Sequence, residues 1–215
     1  MKNNRVFFSF LLLTLLGVFL WSSNAPRDRF TWYLEAAPAI TALTLLLLTY
    51  RRFPFTRLAY ALMWAHAIIL LIGAHYTYAE VPLFNWLRDA LALSRNHFDR
   101  VGHLAQGFVP AIVIREFLLR KTPLLPGKML FFLVTSVCLA ASAFYEFIEW
   151  WISLVTGSAG DSFLGTQGDI WDTQWDMFFC LLGAIASQVL LDRMHDRQMH
   201  QLADAALPLK IQEKI

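Results

Sequence analysis

Charge is what this sequence has least of: 16% of its 215 residues are Asp, Glu, Lys or Arg, while 57% are apolar. An ordinary soluble domain carries about a quarter charged residues, so that class is excluded and a polytopic membrane protein fits instead. Cysteine is nearly absent. Cys138 and Cys180 both lie in apolar runs without metal-ligand spacing, which leaves them as small packing residues. There is no P-loop, nucleophile elbow or zincin motif, and no basic surface of the kind that binds nucleic acid. Low-complexity stretches, internal repeats and dividing linkers are missing too. Residues 1–200 therefore read as a single domain followed by a short cytoplasmic tail, 201–215.

Long apolar runs are what the chain has instead. A helix needs about 20 mostly apolar residues to cross the hydrocarbon layer. Six segments qualify, near residues 6–21, 32–50, 56–78, 100–119, 129–155 and 172–191. None alternates with the period of two that a transmembrane strand requires. The fold class is all-α: a six-transmembrane-helix bundle.

The few charges are unevenly placed. Lys2, Arg5, Arg51, Arg52, Arg57, Arg120, Lys121, Lys128, Arg193, Arg197, Lys210 and Lys214 fall on one side of the bundle. The opposite loops hold Arg27, Arg29, Arg88, Arg95 and Arg100. The positive-inside rule puts both termini in the cytoplasm, and six spans agree with that parity. The first run resembles a signal peptide only superficially. Its small-residue site at Ser22-Ser23-Asn24-Ala25 is poor and precedes Pro26, so we expect it to be retained.

On the outer side, Val81–Leu93 places Asn85, Arg88 and Asp89 on one narrow stripe, with Phe84, Trp86, Leu87 and Leu91 around the rest. This predicts an amphipathic helix lying at the outer leaflet. Trp21, Trp32, Trp86, Trp150, Trp151, Trp171 and Trp175 gather near outer helix ends, as in an aromatic belt. Their one-sidedness also allows an aromatic-walled cavity in the outer half.

Acids crowd the same side. Asp99, His103 and Gln106 share one face of the fourth span, where an Asp and a His four residues apart can ligate one ion or orient each other. Asn96 capping this helix accounts for Asp99 but not for the other two. Glu146 and Glu149 end the fifth span, where carboxylates oppose the helix dipole. At about 4 Å they also repel by roughly 4 kcal/mol at an effective dielectric of 20. A cation, a shared proton or an arginine must offset that. Asp172 and Asp176 open the sixth span behind Asp169; capping explains Asp169 or Asp172, but not Asp176 a turn deeper.

The candidate site is therefore Asp99, His103, Gln106, Glu146, Glu149, Asp172 and Asp176. His103, Glu146, Glu149 and Asp176 are the expected ligands of a divalent metal, and His75, His97 and Asp169 stand as secondary candidates. Glu35 is explained about equally by the helix dipole. His66 is rotated about half a turn from His75, so both cannot face one centre. A lone mid-span histidine is more often hydrogen-bonded between helices.

Five stretches carry a family resemblance. They are Thr49-Tyr-Arg-Arg-Phe-Pro54, His75-Tyr-Thr-Tyr-Ala-Glu-Val-Pro82, Asn96-His-Phe-Asp-Arg-Val-Gly-His103, Tyr145-Glu-Phe-Ile-Glu-Trp150 and Gly165-Thr-Gln-Gly-Asp-Ile-Trp-Asp172. Together they resemble the YjdF-type bacterial inner membrane proteins over nearly the whole chain. The resemblance implies a multi-pass inner membrane protein but no established activity. More distantly, the order Asp99-Arg100-x-x-His103, Glu146-x-x-Glu149, then a late Asp is similar to VanZ-like envelope proteins. It departs from them at the last motif, where an Asn near Asp176 is expected.

Three functions suit such a site. Carboxylates and a histidine holding a divalent metal activate water against a lipid-linked or envelope substrate. The same groups exchange protons or a cation in a transporter. In a non-catalytic envelope scaffold they only brace the bundle. The apolar reach of Met129–Ala141 and Cys180–Ser187 favours a one-sided site over a through-path.

Overall fold

The computed structural model describes residues 2–206 and contains helices but, among those residues, no strand. Residues 207–215 of the expected tail lie outside the described residues. The long helices are α1 (Lys2–Ser23), α2 (Arg29–Thr49), α3 (Arg57–Tyr76), α5 (Phe98–Lys121), α6 (Lys128–Thr156) and α8 (Asp172–Ala206). The short α4 (Pro82–Ala90) and α7 (Asp161–Leu164) lie between them. Five helical stretches are long and apolar enough to cross a membrane: Asn4–Ser23, Arg29–Thr49, Arg57–Tyr76, Lys128–Thr156 and Asp172–Asp204. The chain is thus a multi-pass membrane protein.

Helix α5, the expected fourth span, is missing from that group. It carries Asp99 and Arg100 near one end and Arg115, Glu116, Arg120 and Lys121 near the other. Yet it is the most enclosed helix, with buried residues recurring from Phe98 to Glu116. The polar groups that lower its hydropathy meet other protein groups.

Local chemistry sets the boundaries. Asp28 accepts from Thr31 N at 2.6 Å to cap α2, and Thr56 accepts from Ala59 N at 3.3 Å to cap α3. Gly127, after Pro126, opens α6. The last helix is much longer than its apolar run: α8 continues from 191 to Ala206 through Arg193, His195, Asp196 and Arg197. The expected tail is therefore helical as far as Ala206.

The core runs along α5, α6 and α8 and is built from small residues: Ala111, Cys138, Cys180 and Ala184, with Leu130 and Val134 beside them. Backbones touch there. A Cβ on Gly107 would lie 1.8 Å from the Cys180 carbonyl oxygen, and one on Gly183 would lie 2.1 Å from that of Leu104. Close approach through small residues is how helices associate where no hydrophobic drive exists. Both cysteines are free packing groups, with Cys180 Sγ 3.5 Å from the Cys138 carbonyl.

Apolar side chains such as Leu13, Leu48, Leu154, Val155 and Leu190 remain exposed, as a lipid-facing surface requires. Trp21, Trp86, Trp150, Trp151, Trp171 and Trp175 are exposed at one end of the bundle, in a belt. Trp32 is the exception: it is buried and donates to Ser22 Oγ at 2.9 Å. Helix α4 sits at the same end with Leu83 and Trp86 exposed, while its Asn85 accepts from Asn96 Nδ2 at 2.8 Å.

Candidate functional site

Two arginines organise the acidic end. Arg95, in the turn before α5, and Arg100, in its first turn, are both buried. Arg95 is bonded through Nη1 to Asp172 and lies 3.5 Å from Asp99 Oδ2 and 3.6 Å from Asp169 Oδ2. It also donates to the carbonyls of Thr166 at 3.1 Å and Gly165 at 3.2 Å. Arg100 is bonded to Asp176, and its Nη2 lies 3.1 Å from Asp169 and 2.9 Å from Asp172. The α8 aspartates thus face guanidinium forks, the side chain best shaped for paired carboxylates.

The loop between α6 and α8 completes this arrangement. Gln167 takes the backbone of Asn96 from both sides, accepting from its N–H and donating to its carbonyl, each at 2.9 Å. Asn96 Oδ1 accepts from Phe98 N at 3.0 Å, which starts α5. One loop therefore fixes both the helix that presents His103 and the helix that presents Asp176.

His103 is buried between three acids. Its Nε2 lies 3.5 Å from Asp99 Oδ1 and 3.8 Å from Asp176 Oδ1, while Nδ1 lies 3.9 Å from Glu146 Oε1. Among the described residues, Asp99, His103 and Asp176 form the group whose ligand atoms all fall within 4.8 Å of one another. His103 and Asp176 of the expected metal set belong to this group, together with Asp99, while Glu146 lies at the opposite nitrogen of the imidazole from Asp176.

Behind His103 lies a cavity of about 80 Å³, walled by Glu35, His66, Tyr78, Asp99, Gln106, Tyr145 and Glu149 among others. Tyr78 is wedged so that its ring occupies the space a Cβ would need on both Gly73 and Gly102. To reach there the chain passes through two successive left-handed residues, Thr77 at φ 61° and Tyr78 at φ 54°. Phe163 of α7 is buried on the cavity wall. The aromatic walls are thus Tyr78, Tyr145 and Phe163, not the tryptophans.

Glu146 and Glu149 are buried, and among the described residues no Lys or Arg lies within 4 Å of either. Among the described residues, the buried atoms of this region without a hydrogen-bond partner include His103 Nδ1, Glu146 Oε1, Arg95 Nε and His66 Nε2. Among the described residues, seven carboxylates (Glu35, Asp99, Glu146, Glu149, Asp169, Asp172 and Asp176) surround two guanidiniums, Arg95 and Arg100, and two imidazoles, His103 and His66. Unpaired buried charge costs several kcal/mol per ion, in order of magnitude, so this excess needs protons or a bound cation.

The secondary histidines fall outside. His75 packs on Trp21, with ring centroids 4.4 Å apart, and its Nδ1 lies 3.0 Å from the Ser22 carbonyl. His97 precedes α5, partly exposed. Loss of solvent, then the charges of Arg95 and Arg100, hold its imidazole below the ordinary value. His66, which helical rotation had separated from His75, is the one that lines the cavity, with Nε2 unpartnered. Asp169 does join the site, through both arginines, while its Oδ1 accepts from Trp171 N at 2.9 Å.

A second buried polar network occupies the other end. Glu116 accepts from Thr56 N at 3.1 Å, Thr56 Oγ1 at 2.8 Å and Arg120 at 2.7 Å, and lies 3.1 Å from His195 Nε2. Arg115 Nη1 reaches His195 Nδ1 at 2.9 Å and Asp196 at 2.7 Å. Every member is partnered, which marks it as a clamp joining α3, α5 and α8.

The comparisons with known proteins agree with this architecture. Residues 7–197 match the family described as a predicted membrane protein, DUF2238. The chain is 49% identical over 189 residues to the inner membrane protein YjdF of Escherichia coli (strain K12), covering 88% of this chain and 90% of that one. No solved structure matches. A match of this extent means that the chain belongs to the DUF2238 family of membrane proteins.

Proposed function

We propose that the chain is a single six-span inner-membrane domain with both termini in the cytoplasm and α4 lying at the outer leaflet. Its acidic site then faces the periplasm. There Asp99, His103 and Asp176 bind a divalent metal that activates water against a lipid-linked or envelope substrate. The observation carrying this reading is the convergence of the three ligand atoms within 4.8 Å in an acid-rich, buried setting. One imidazole and two carboxylates suit a borderline metal and leave coordination positions open for water. Asp176 Oδ1 already accepts from Arg100, but a carboxylate keeps further lone pairs for a ligand. The polar cavity beside His103 is roomy enough for a few waters.

A proton- or cation-coupled transporter and a non-catalytic scaffold are the competing readings. Pro38, on the cavity wall, interrupts the α2 ladder as transporter helices often do. Against transport, Ala111, Val134, Cys138, Cys180 and Ala184 form an apolar layer between the site and the Glu116 network.

Metal content of the purified full-length protein in detergent tests the proposal, after exposure to zinc, manganese, magnesium or calcium. We expect one ion per chain in the wild type and in Glu149→Gln, and none in Asp99→Asn or His103→Ala. No stoichiometric metal in the wild type under any of these ions overturns the reading.

A further inference from the structure

At the end of the bundle remote from the acidic site, two cavities join. Helices α1 and α2 both lie against α3, tied where Trp32 Nε1 meets Ser22 Oγ and Ser22 donates to the Leu71 carbonyl at 2.6 Å. Away from that tie they leave an apolar cleft of about 280 Å³, walled by Leu12, Leu15, Leu43, Leu46, Leu47 and Met63 among others. It shares Phe8, Tyr50 and Tyr60 with a second cavity of about 490 Å³. The polar lining of that second chamber is Asn4, Thr56, Arg57, Gln198 and Gln201 with the two tyrosines, and among the described residues its wall holds no carboxylate. The shape is that of an amphiphile: an apolar slot opening into a polar chamber.

The charge of the chamber selects the occupant. Arg57 lies 4.4 Å over the Phe7 ring and, among the described residues, has no ion pair. A contact with the ring face leaves the in-plane N–H donors of a guanidinium uncommitted. Glu116, behind Thr56, is already saturated by Thr56, Arg120 and His195. An anion therefore finds a donor set, while the ammonium of a zwitterionic headgroup finds no acceptor of opposite charge. The slot itself confers little preference, since an acyl chain gains almost nothing on leaving lipid for leucines. Selectivity has to come from the headgroup.

We propose that this joined cleft binds an anionic phospholipid, with an acyl chain between α1 and α2 and the phosphate held by Arg57, Asn4, Gln198 and Gln201. Occupancy there fastens α1, which otherwise packs mainly on α3, to the end of α8. The site is separate from the acidic centre and does not depend on its chemistry.

Thermal unfolding of the full-length protein in a neutral detergent tests this, with phosphatidylglycerol, phosphatidylcholine or inorganic phosphate titrated in. Phosphatidylglycerol should raise Tm saturably in the wild type, and the other two should not. Arg57→Gln should weaken that response about tenfold, the size of one charge-assisted contact. Arg57→Lys should recover most of it. Leu43→Trp, which fills the slot and leaves the chamber alone, should abolish it. The proposal is overturned if phosphatidylcholine acts as strongly as phosphatidylglycerol, or if inorganic phosphate alone produces the shift. It also fails if Arg57→Gln and Leu43→Trp respond like the wild type. Should Arg57→Gln not fold, the Arg57→Lys and Leu43→Trp pair still decides it.

Discussion

His103 Nδ1 faces Glu146 Oε1 across 3.9 Å, and neither atom has a hydrogen-bond partner. The gap is too long for a hydrogen bond, yet a small rotation of either side chain closes it. In that position Glu146 accepts from Nδ1–H and fixes the tautomer, leaving the Nε2 lone pair toward Asp99 and Asp176. Partners of this kind orient imidazole ligands and are commonly worth about 10–100-fold in metal affinity.

Glu146→Gln is therefore expected to weaken metal binding about 10–100-fold without abolishing it. Isothermal titration of the metal-free protein measures this directly. A ligand mutation such as His103→Ala loses the binding altogether, and a residue that only braces the bundle leaves the affinity unchanged. Unaltered affinity in Glu146→Gln would remove the orienting role.

Glu149 gives the opposite expectation. It lines the cavity with Glu35 and Asp99 and, among the described residues, has no Lys or Arg within 4 Å. A carboxylate charge buried there opposes folding. Glu149→Gln keeps the shape and removes the charge, so we expect it to stabilise the protein by about 0.5–2 kcal/mol. The measurement is Tm in detergent without added metal. An earlier unfolding transition would show instead that Glu149 holds the bundle together.

Arg100 is the reverse case. Its guanidinium serves Asp169, Asp172 and Asp176 together, and removing it leaves three partly or fully buried carboxylates short of a partner. Breaking a buried pair from one side costs about 3–5 kcal/mol. Arg100→Met should therefore lower stability by that order, and Arg100→Met with Asp176→Asn should recover part of it. A double variant no more stable than the single one would mean that the two groups are not energetically coupled.

These partners show what one sequence reveals. The apolar runs exposed the long helices, because burial in lipid requires every backbone group to be satisfied within the segment. The sequence asked for an offsetting charge at Glu146 and Glu149, but the two arginines meet Asp169, Asp172 and Asp176 instead. Which cation met which acid was not legible. Arg95 and Arg100 read as ordinary loop charges, because the register between α5 and α8 is written in side-chain packing rather than in local pattern. Their one available signal was their position, flanking Asp99 opposite a run of acids. The Glu116–His195 clamp was missed for a related reason. It is built from the charged ends of α5 and α8, which hydropathy discounts as loop. His66 and His75 show the limit of helical rotation: it says that both cannot face one centre, but not which of them, if either, does so.

The α5–α8 contact yields a packing prediction. Gly183 lies against the Leu104 carbonyl and Gly107 against that of Cys180, both with no room for a methyl group. Gly107 of α5 and Gly183 of α8 thus bring the two helices together from both sides. Gly107→Ala forces two backbones apart where Asp99, His103 and Asp176 depend on their spacing. Overpacking of this kind typically costs about 1–3 kcal/mol. We expect lower Tm together with weaker metal binding. Gly17 serves as the control, since a Cβ there meets nothing within 4 Å. Equal effects from Gly17→Ala and Gly107→Ala would mean that helix spacing does not govern the site.

A pH dependence follows from Asp28, which lies before α2. Its carboxylate accepts from Thr31 N, and hydrogen bonds from the Thr31 backbone and side chain hold its pKa below the ordinary 3.8. A carboxylate with a lowered folded value contributes stability that is fully present above its unfolded value and is lost as pH falls through the folded one. Asn caps a helix about as well as Asp but carries no titrating charge. The Tm advantage of the wild type over Asp28→Asn should thus be present at neutral pH, persist down to the ordinary carboxylate value, and vanish below it. High salt should shrink the advantage without moving that window, because the helix dipole acts on Asp28 through partly exposed surroundings. An advantage that grows on acidification would contradict the assigned direction and show that Asp28 is better tolerated protonated in the folded protein.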